Sequence, residues 1–559
     1  MKLKPIPKTR GAAKVIGWVR KTLGQIVENM AGKYPDHLAL IFKDHRVSYQ
    51  RLQEKATALA KGLMALGVEK GDKVSIWSGN CTEWIYTQLA TALIGAVLVP
   101  VNTRFRTSEL EYILGQSDST TLILMDRFLN IDFGDMLREV CPETDSALPG
   151  KLRAARLPLL QNIIFLGNPR FPGAFSLSEV MKLGRAVSEA RLKSRMARVQ
   201  PDDVILFQYT SGTTAFPKGV MLTHDGVIRD GFYLGERQTL TAEDVLFCPL
   251  PFFHVGGAVI STLSVLTHGA SMVFLDTYDP LECLKAVEKE RCTAMNGIET
   301  HFLMMYQHPD FPRYDVFSLK KGWAIGPAEV IRSAYRKMGM TKILNIYGTS
   351  ETSPNVTTTF VDDPLELRVH FHGLPHAETE VKIVNRSTGE ALDAGKEGEI
   401  CVRGWNVMKG YYKKPEETAK AIDPQGWLHT GDLGLVDPKN GYLRFTGRFK
   451  DMLRVGGENV SAMEVESFLL THPKVKQAQV VGVPDPRLTE AGMAFLELKE
   501  GMTATEEEIL SFCKGKIANF KIPRYVTFVK EFPLTGSCKI QKFKLKQLAL
   551  EKLKVQGEE

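Results

Sequence analysis

A chain of 559 residues, 44% hydrophobic and 24% charged, is too long for one ordinary core and too well mixed for a disordered or fibrous protein, so at least two globular domains are expected. Its eight cysteines stand singly, with no CxxC or CxxH pair, which argues against a zinc site or a disulfide framework and fits a reducing cytoplasm. The formal net charge of +7 gathers at the start, where "MKLKPIPKTRGAAKVIGWVRK" places seven Lys and Arg before the first acid, Glu28. Such an arm lies on the body of the protein or touches an acidic membrane surface, and it lacks the apolar core of a signal peptide. Nothing else in the chain points to nucleic acid.

In chain order, "VSYQRLQEKATALAKGLMALGV" sets Leu52, Ala56, Leu59, Ala60, Leu63 and Leu66 at helical spacing. "KVSIWS" reads as a strand, "TEWIYTQLATALIGA" as a helix, and "VLVPV", "TLILMD" and "NIIFLG" as further strands. Strands alternating with helices predict parallel sheets covered on both faces. The run "FCPLPFFHVGGAVISTLSVLTHGASMVFLD" is nearly long enough to cross a bilayer. Pro249, Pro251, His254, His268 and Gly269 interrupt it, so it parses as a buried helix, the turn "THGA" and a strand.

After about Phe371 the texture becomes antiparallel. "ETEVKIVNRSTGEALDAGKEGEICVRG" and "DLGLVDPKNGYLRFTGRFKD" read as hairpins, the second turning at "PKNG". Beyond Lys450 follows a compact α+β unit, with a helix from "SAMEVESFLLTHP", strands in "QAQVVGV" and "GMAFLELK", and a helix from "TEEEILSFCKGKIANF". These patterns predict an α/β protein with a large body of about 446 residues and a small α+β terminal domain, the two meeting at "GRFKD".

"YTSGTTAFPKGVMLTH", Tyr209 to His224, carries the chemistry. Gly212 and Lys218 keep the glycine–lysine interval of the common phosphate loop, but Pro217 stands for its second glycine and Gly219 for its magnesium-binding hydroxyl. Both flanks read as strands, so no helix N-terminus backs the loop. It must grip phosphate with hydroxyls, glycine N–H groups and Lys218, and it can open and close.

This stretch resembles the signature of the adenylate-forming superfamily, whose members include AMP-forming acyl-CoA synthetases, luciferases and peptide-synthetase adenylation domains. "YGTSET" (Tyr347 to Thr352), "GWLHTGDLG" (Gly426 to Gly434), "GRFKDMLRVGGENV" (Gly447 to Val460) and "PLTGSCKIQK" (Pro533 to Lys542) follow in the family's order. The resemblance runs from about residue 40 to residue 548, and it implies a large N-terminal domain over residues 1–446 of parallel α/β sheets plus a distorted β-barrel, a hinge at 447–452, and a small mobile α+β C-terminal domain over 453–559.

The resemblance implies a role for each matching residue. Thr210, Ser211, Gly212, Thr213, Thr214 and Lys218 hold the β- and γ-phosphates. Tyr347 and Gly348 meet adenine, Thr349 a phosphate, and Glu351, with Thr210, Mg²⁺. Asp432 accepts the ribose hydroxyls and Arg448 contacts ribose and phosphate. Lys539 bridges the carboxylate and the α-phosphate, whose mutual repulsion it neutralises. Lys450 falls on the hinge, and Gly456 and Gly457 let the pantetheine of coenzyme A pass close to the backbone. Cys538 stands where the family carries glycine before the catalytic lysine.

On the acyl side, "PFFHVGG" resembles the segment whose aromatic residue and His254 line the acid pocket and gate the thiol tunnel. No carboxylate stands there to pair with an amino-acid ammonium. Glu299 replaces a common proline, and the adenine-wall motif is shortened in "WAIGPAEV", leaving Gly326 as its contact. Phe232, Tyr233, Phe253 and Trp323 lie near pocket motifs and leave aliphatic, alicyclic and aromatic acids open. The implied protein is an AMP-forming acyl-CoA ligase using ATP, Mg²⁺ and coenzyme A on an apolar acid, in either direction, as a monomer or homodimer. Loading of a separate carrier protein, a luciferase-like oxidation, and a silent nucleotide- or lipid-binding relative are the alternatives.

Overall fold

Two large, mainly parallel sheets dominate the computed structural model, which describes residues 18–210, 217–455, 458–485, 487–536 and 539–557. One has seven strands in the order Lys218–Thr223, Val204–Thr210, Val97–Pro100, Lys73–Trp77, Ser119–Leu124, Asn162–Phe165 and Phe175–Ser176. All its neighbours are parallel except the first pair, an antiparallel hairpin. The other has nine strands. Its parallel centre runs Lys342–Tyr347, Lys321–Ile325, Ala294–Ile298, Val245–Cys248, Ser271–Phe274 and Leu38–Phe42, and short antiparallel strands close both edges.

The helices between these sheets follow from their patterns. In Tyr49–Ala65, Leu52, Ala56, Leu59, Ala60 and Leu63 are fully buried along one stripe. Ser48 caps its start by accepting the Arg51 N–H at 3.2 Å, and Gly67, at φ 87°, turns the chain away after its end. Helix Thr82–Ile94 is buried on all sides, as an apolar helix enclosed between layers must be. The long apolar run has the expected helix (Gly256–Ser261 continuing into Thr262–His268), a turn at left-handed Gly269 and strand Ser271–Phe274, and its first residues also close a strand that was not expected, Val245–Cys248. The first turn of that helix is a π-helix, Gly256–Ser261. No described helix is long and apolar enough to cross a membrane.

Strands Thr379–Val384, Gly398–Gly404, Leu428–Val436 and Leu443–Arg448 form a four-stranded antiparallel sheet in the stretch expected to be barrel-like. After a 3-10 turn at Phe449–Asp451 comes a five-stranded sheet of Met452–Val455, Glu458–Ser461, Val475–Asp485, Thr489–Leu498 and Tyr525–Phe528, covered by Ala462–Leu469 and Glu506–Cys513. The second of these helices stops at Cys513, short of the "KGKIANF" that seemed to continue it. Lys514 is already extended (ψ 129°) and Gly515 takes φ 74°. The basic segment after Lys539 is a helix, Lys542–Gly557.

The described end of the basic arm is docked. Trp18 Nε1 donates to Asp225 Oδ1 at 2.8 Å, the indole lies 5.1 Å from the Phe232 ring, and Arg20 Nε sits 3.3 Å from Asp225 Oδ2. The rest of the arm, and with it the membrane alternative, lies outside the described residues. The seven cysteines among the described residues are all buried.

Candidate active site

The hairpin that brackets the phosphate loop pairs Tyr209 with Gly219 and Thr210 with Lys218. It is therefore a strand-to-strand turn, and the following helix starts only at His224. Its free edge is taken by the segment Met408–Tyr412: the Lys409 N–H donates to the Met221 carbonyl at 3.0 Å and the Tyr412 N–H to the Gly219 carbonyl at 2.9 Å. This brings Tyr411 over Lys218, whose ammonium is 4.9 Å from the ring centroid, while Tyr411 Oη donates to Glu351 Oε1 at 3.0 Å. Lys218 Nζ is paired with Glu417 Oε2 at 2.6 Å, and that ammonium holds the Glu417 carboxyl below its ordinary range. Ser211, Gly212, Thr213 and Thr214 lie outside the described residues.

Strand Lys342–Tyr347 delivers "YGTSET" at its carboxyl end, where ligands of parallel sheets bind. Gly348 is required by packing: a methyl there would sit 1.9 Å from the Pro354 carbonyl oxygen. The short turn Ser350–Thr352 holds Glu351, whose carbonyl accepts the Met408 N–H at 2.9 Å. Thr349 Oγ1 is buried and has no hydrogen-bond partner among the described residues, which fits a hydroxyl awaiting an oxyanion. Glu351 keeps a carboxylate beside it, and one such oxygen suits a hard cation that retains water.

Asp432 faces Arg448 across the antiparallel pair. Its carboxylate is 4% exposed, accepts Tyr347 Oη at Oδ2 (3.0 Å), and lies 3.3 Å from Arg448 Nε at Oδ1. Burial raises its pKa, and Arg448 and the Tyr347 hydroxyl oppose the rise. Tyr347 is 5% exposed; its ring packs 5.6 Å from Phe445 at 28°, so its hydroxyl, fixed on Asp432, is its main polar link to the site.

Lys539 stands on a tight turn in which Leu534 bridges Ile540, the Thr535 N–H donates to the Lys539 carbonyl at 2.7 Å, and the Lys539 N–H donates to Thr535 Oγ1 at 3.0 Å. The residue as a whole is exposed, and desolvation of its ammonium with the nearby Arg448 charge draws its pKa down to about 8. The Lys539 charge acts in turn on His254, whose pKa burial pushes down to about 3. His254 Nδ1 accepts the Gly256 N–H at 3.2 Å, so the neutral ring carries its proton on Nε2. Lys539 therefore lies within electrostatic reach of Arg448 and His254, although the three are far apart in sequence. Gly456, Gly457 and Cys538 lie outside the described residues, and Lys450 is placed only as part of the turn Phe449–Asp451.

The acyl side differs from the sequence reading. Phe232 and Tyr233 pack against Trp18, with His268 stacked on Phe232 and, on Tyr233, His376 stacked and Trp405 tilted. Trp323 is core at 1% exposure. Phe253 alone of the four stands at the site, next to His254. Gly326 backs onto Glu299, whose Cβ lies 3.0 Å from where a Gly326 methyl would sit. Glu299 Oε1 is buried without a partner among the described residues, and burial, aided by Glu466, pushes the carboxyl up to about 8. Tyr411 and Glu417 escaped the sequence reading. Their only signal was "GYYKKPEET", a polar-aromatic run whose meaning depends on pairing with a distant strand edge.

A strand-to-strand hairpin carrying Lys218, a buried carboxylate paired with an arginine and a tyrosine, and a lysine presented by the small C-terminal unit define a nucleotide-activating ligase. The chain belongs to the AMP-binding enzymes: that family's profile matches residues 27–412, and the profile of the AMP-binding enzyme C-terminal domain matches residues 464–539. Within this adenylate-forming family it groups with the AMP-forming acyl-CoA synthetases. YngI of Bacillus subtilis (strain 168), a protein assigned provisionally by its name to the acyl-CoA synthetases, is 44% identical over 540 residues, 95% of this chain and 98% of that one. The mitochondrial medium-chain acyl-CoA ligase ACSF2 of Mus musculus is 38% identical over 96% of this chain and 89% of its own. Among solved structures, the anthranilate CoA ligase AuaEII in complex with anthranoyl-AMP aligns with a TM-score of 0.85 at 26% identity, covering 96% of this chain and 98% of that one.

Proposed function

We propose that the protein joins an apolar carboxylic acid to coenzyme A through an acyl-adenylate, releasing pyrophosphate and then AMP. The observation that carries this reading is that the turn bearing Lys539 packs through Gly536 against Phe253, the neighbour of His254, because binding a nucleotide alone requires no such lysine at the site. Aliphatic medium-chain acids are the leading substrates, supported by the relation to a medium-chain ligase, and alicyclic and aromatic acids are the competing classes. We also infer residues 1–446 as the nucleotide-holding domain, 447–452 as the hinge and 453–559 as the lid. The chain works in the cytoplasm.

In the first half-reaction a carboxylate oxygen attacks the α-phosphorus and pyrophosphate departs. Lys539 neutralises the two anions that must meet, Asp432 and Arg448 orient the ribose, and Thr349 donates to a phosphate oxygen. Lys218 must leave Glu417 to hold the β- and γ-phosphates. Glu351, with Thr210, would hold magnesium, which when bound offsets phosphate charge. In the second half-reaction a thiol attacks the acyl carbon and AMP departs, with His254 at the entrance as a neutral Nε2–H donor.

Two expected results follow here. Glu417→Gln releases Lys218 from a partly buried ion pair, so the KM for ATP should fall about two- to fivefold, the range for such pairs. A rise in KM would mean that Glu417 positions the lysine instead of competing for it. Because His254 stays neutral above about pH 3, the pH profile of kcat/KM for coenzyme A should show no inflection near 6.5 that Ala in its place removes.

The deciding assay supplies ATP, Mg²⁺ and coenzyme A with octanoate, cyclohexanecarboxylate and benzoate, and resolves the nucleotide product. AMP with one acyl-CoA names the substrate class. ADP, or no turnover with any acid, would overturn the reading.

A further inference from the structure

The turn that carries Lys539 touches the large sheets at one residue where a side chain has no room. A methyl group built on Gly536 would lie 2.7 Å from Arg104 Cγ, 2.8 Å from Asn102 Oδ1 and 3.2 Å from Phe253 Cζ. Contacts under 3.0 Å are not tolerated by real side chains, so something would have to move. The turn, Asn102 and Phe253 are each held by hydrogen bonds, whereas Arg104 is exposed and its side chain is the part of the seat most able to shift. Beyond the hydrogen bonds between Thr535 and Lys539, the Gln541 N–H donates to the Pro533 carbonyl at 2.8 Å and closes the neck of the turn.

On the receiving side, Asn102 Oδ1 accepts the Arg104 N–H at 2.9 Å, and the Asn102 carbonyl accepts the Phe105 N–H at 3.0 Å and Trp77 Nε1 at 3.3 Å. Trp77 is fully buried. The Phe253 carbonyl accepts Gln208 Nε2 at 3.2 Å, and Gln208 lies on the strand that leads into the phosphate hairpin. Gly536 is not among the residues with positive φ, so its requirement is close approach and not backbone freedom. Cys538 stands where the family carries glycine, so Gly536 is the glycine of this loop.

We propose that Gly536 is a positioning residue for adenylation: its missing side chain lets the Lys539 turn seat on Asn102, Arg104 and Phe253, and this seat sets the reach of Lys539. The proposal rests on the adenylation reading above. The seat also lies against Phe253, next to His254, so it must open before a thiol can approach from that side. A side chain at 536 therefore penalises the closed arrangement and spares the open one.

The test measures the two half-reactions separately on the full chain. Pyrophosphate exchange into ATP with octanoate, or the acid the wild type activates best, reports adenylation. Single-turnover conversion of supplied acyl-AMP and coenzyme A reports thioester formation. Gly536→Ala should lower exchange about tenfold and Gly536→Val about a hundredfold, the scale of a misplacement near 1 Å. Thioester formation should stay within about twofold of wild type, since the seat is not used there. Adding Arg104→Ala, which removes the nearest obstructing atom, should restore part of the exchange lost in Gly536→Ala, and a general folding defect would not be rescued this way.

Equal loss in both half-reactions, or wild-type exchange in Gly536→Val, overturns the seat while leaving the adenylation reading standing. Absence of exchange in the wild type, with ADP or no nucleotide product, overturns both.

Discussion

Lys539→Ala is expected to slow acyl-adenylate formation by on the order of 10²–10³-fold while leaving thioester formation from supplied acyl-adenylate nearly unchanged. Two anions must approach within bonding distance, and in a sheltered site each charge is screened far less than in water. An ammonium placed between them acts where charge is concentrated and needs no reorganisation during the step. The lowered pKa of this lysine adds a signature. Its proton is held below about pH 8 and lost above it, so kcat/KM for adenylation, which reports the free enzyme, should fall as pH rises through that value. Lys539→Arg, always charged, should retain part of the activity and lose the alkaline fall. A rate that stays flat to pH 10 in the wild type would sink the assignment, as would equal loss of both half-reactions in the Ala variant.

Asp432→Asn is expected to raise the KM for ATP about 10- to 100-fold, the loss of hydrogen bonds to one ionised acceptor, with little change in the KM for the acid. The carboxylate is 4% exposed and has two neighbours, the Tyr347 hydroxyl and Arg448, so it is held in one orientation before nucleotide arrives. An amide keeps the shape but presents a donor on one side and leaves Arg448 without its counter-charge. Stability should fall by about 1–3 kcal/mol, because burying a group beside an uncompensated partner is costly. Tyr347→Phe separates the effects: it removes the hydroxyl while sparing the carboxylate, so it should cost stability more than nucleotide affinity. Isothermal titration with ATP and thermal unfolding would distinguish them. An unchanged ATP affinity in Asp432→Asn would remove this carboxylate from the nucleotide site.

Much of the fold was legible because its patterns are local. Alternating strands and helices, the turn at Gly269 and the hairpin ending at Arg448 each announce themselves within about ten residues. Contacts between distant segments were not. Phe232 and Tyr233 sit near a pocket motif in sequence, but helix rotation turns them toward Trp18, about two hundred residues earlier in the chain. Lys218 read as a free phosphate-binding cation because nothing near it in sequence is acidic, and Glu417 reaches it only through edge pairing of Met408–Tyr412. The helix expected to run through "KGKIANF" stops at Cys513, just ahead of Gly515, a residue whose positive φ no apolar periodicity reveals. The roles of Asp432, Arg448 and Lys539 were suggested by resemblance, and their convergence is what the structure adds.

The pairing of Lys218 with Glu417 bears on reversibility. A phosphate-binding cation left bare by its product would hold pyrophosphate back and favour the return reaction. Here the lysine has an anion of its own chain waiting 2.6 Å away, so departure of pyrophosphate exchanges one ion pair for another and does not strand a charge. The same exchange sets a filter on the incoming nucleotide. ATP brings phosphate charge that can displace the carboxylate, whereas AMP, with no β- or γ-phosphate, leaves the pair intact. Under the phosphate-binding role proposed for Lys218, ATP and pyrophosphate must both displace Glu417 while AMP need not, so the pair eases release of pyrophosphate and weakens ATP binding by the same means, without setting the direction of the reaction.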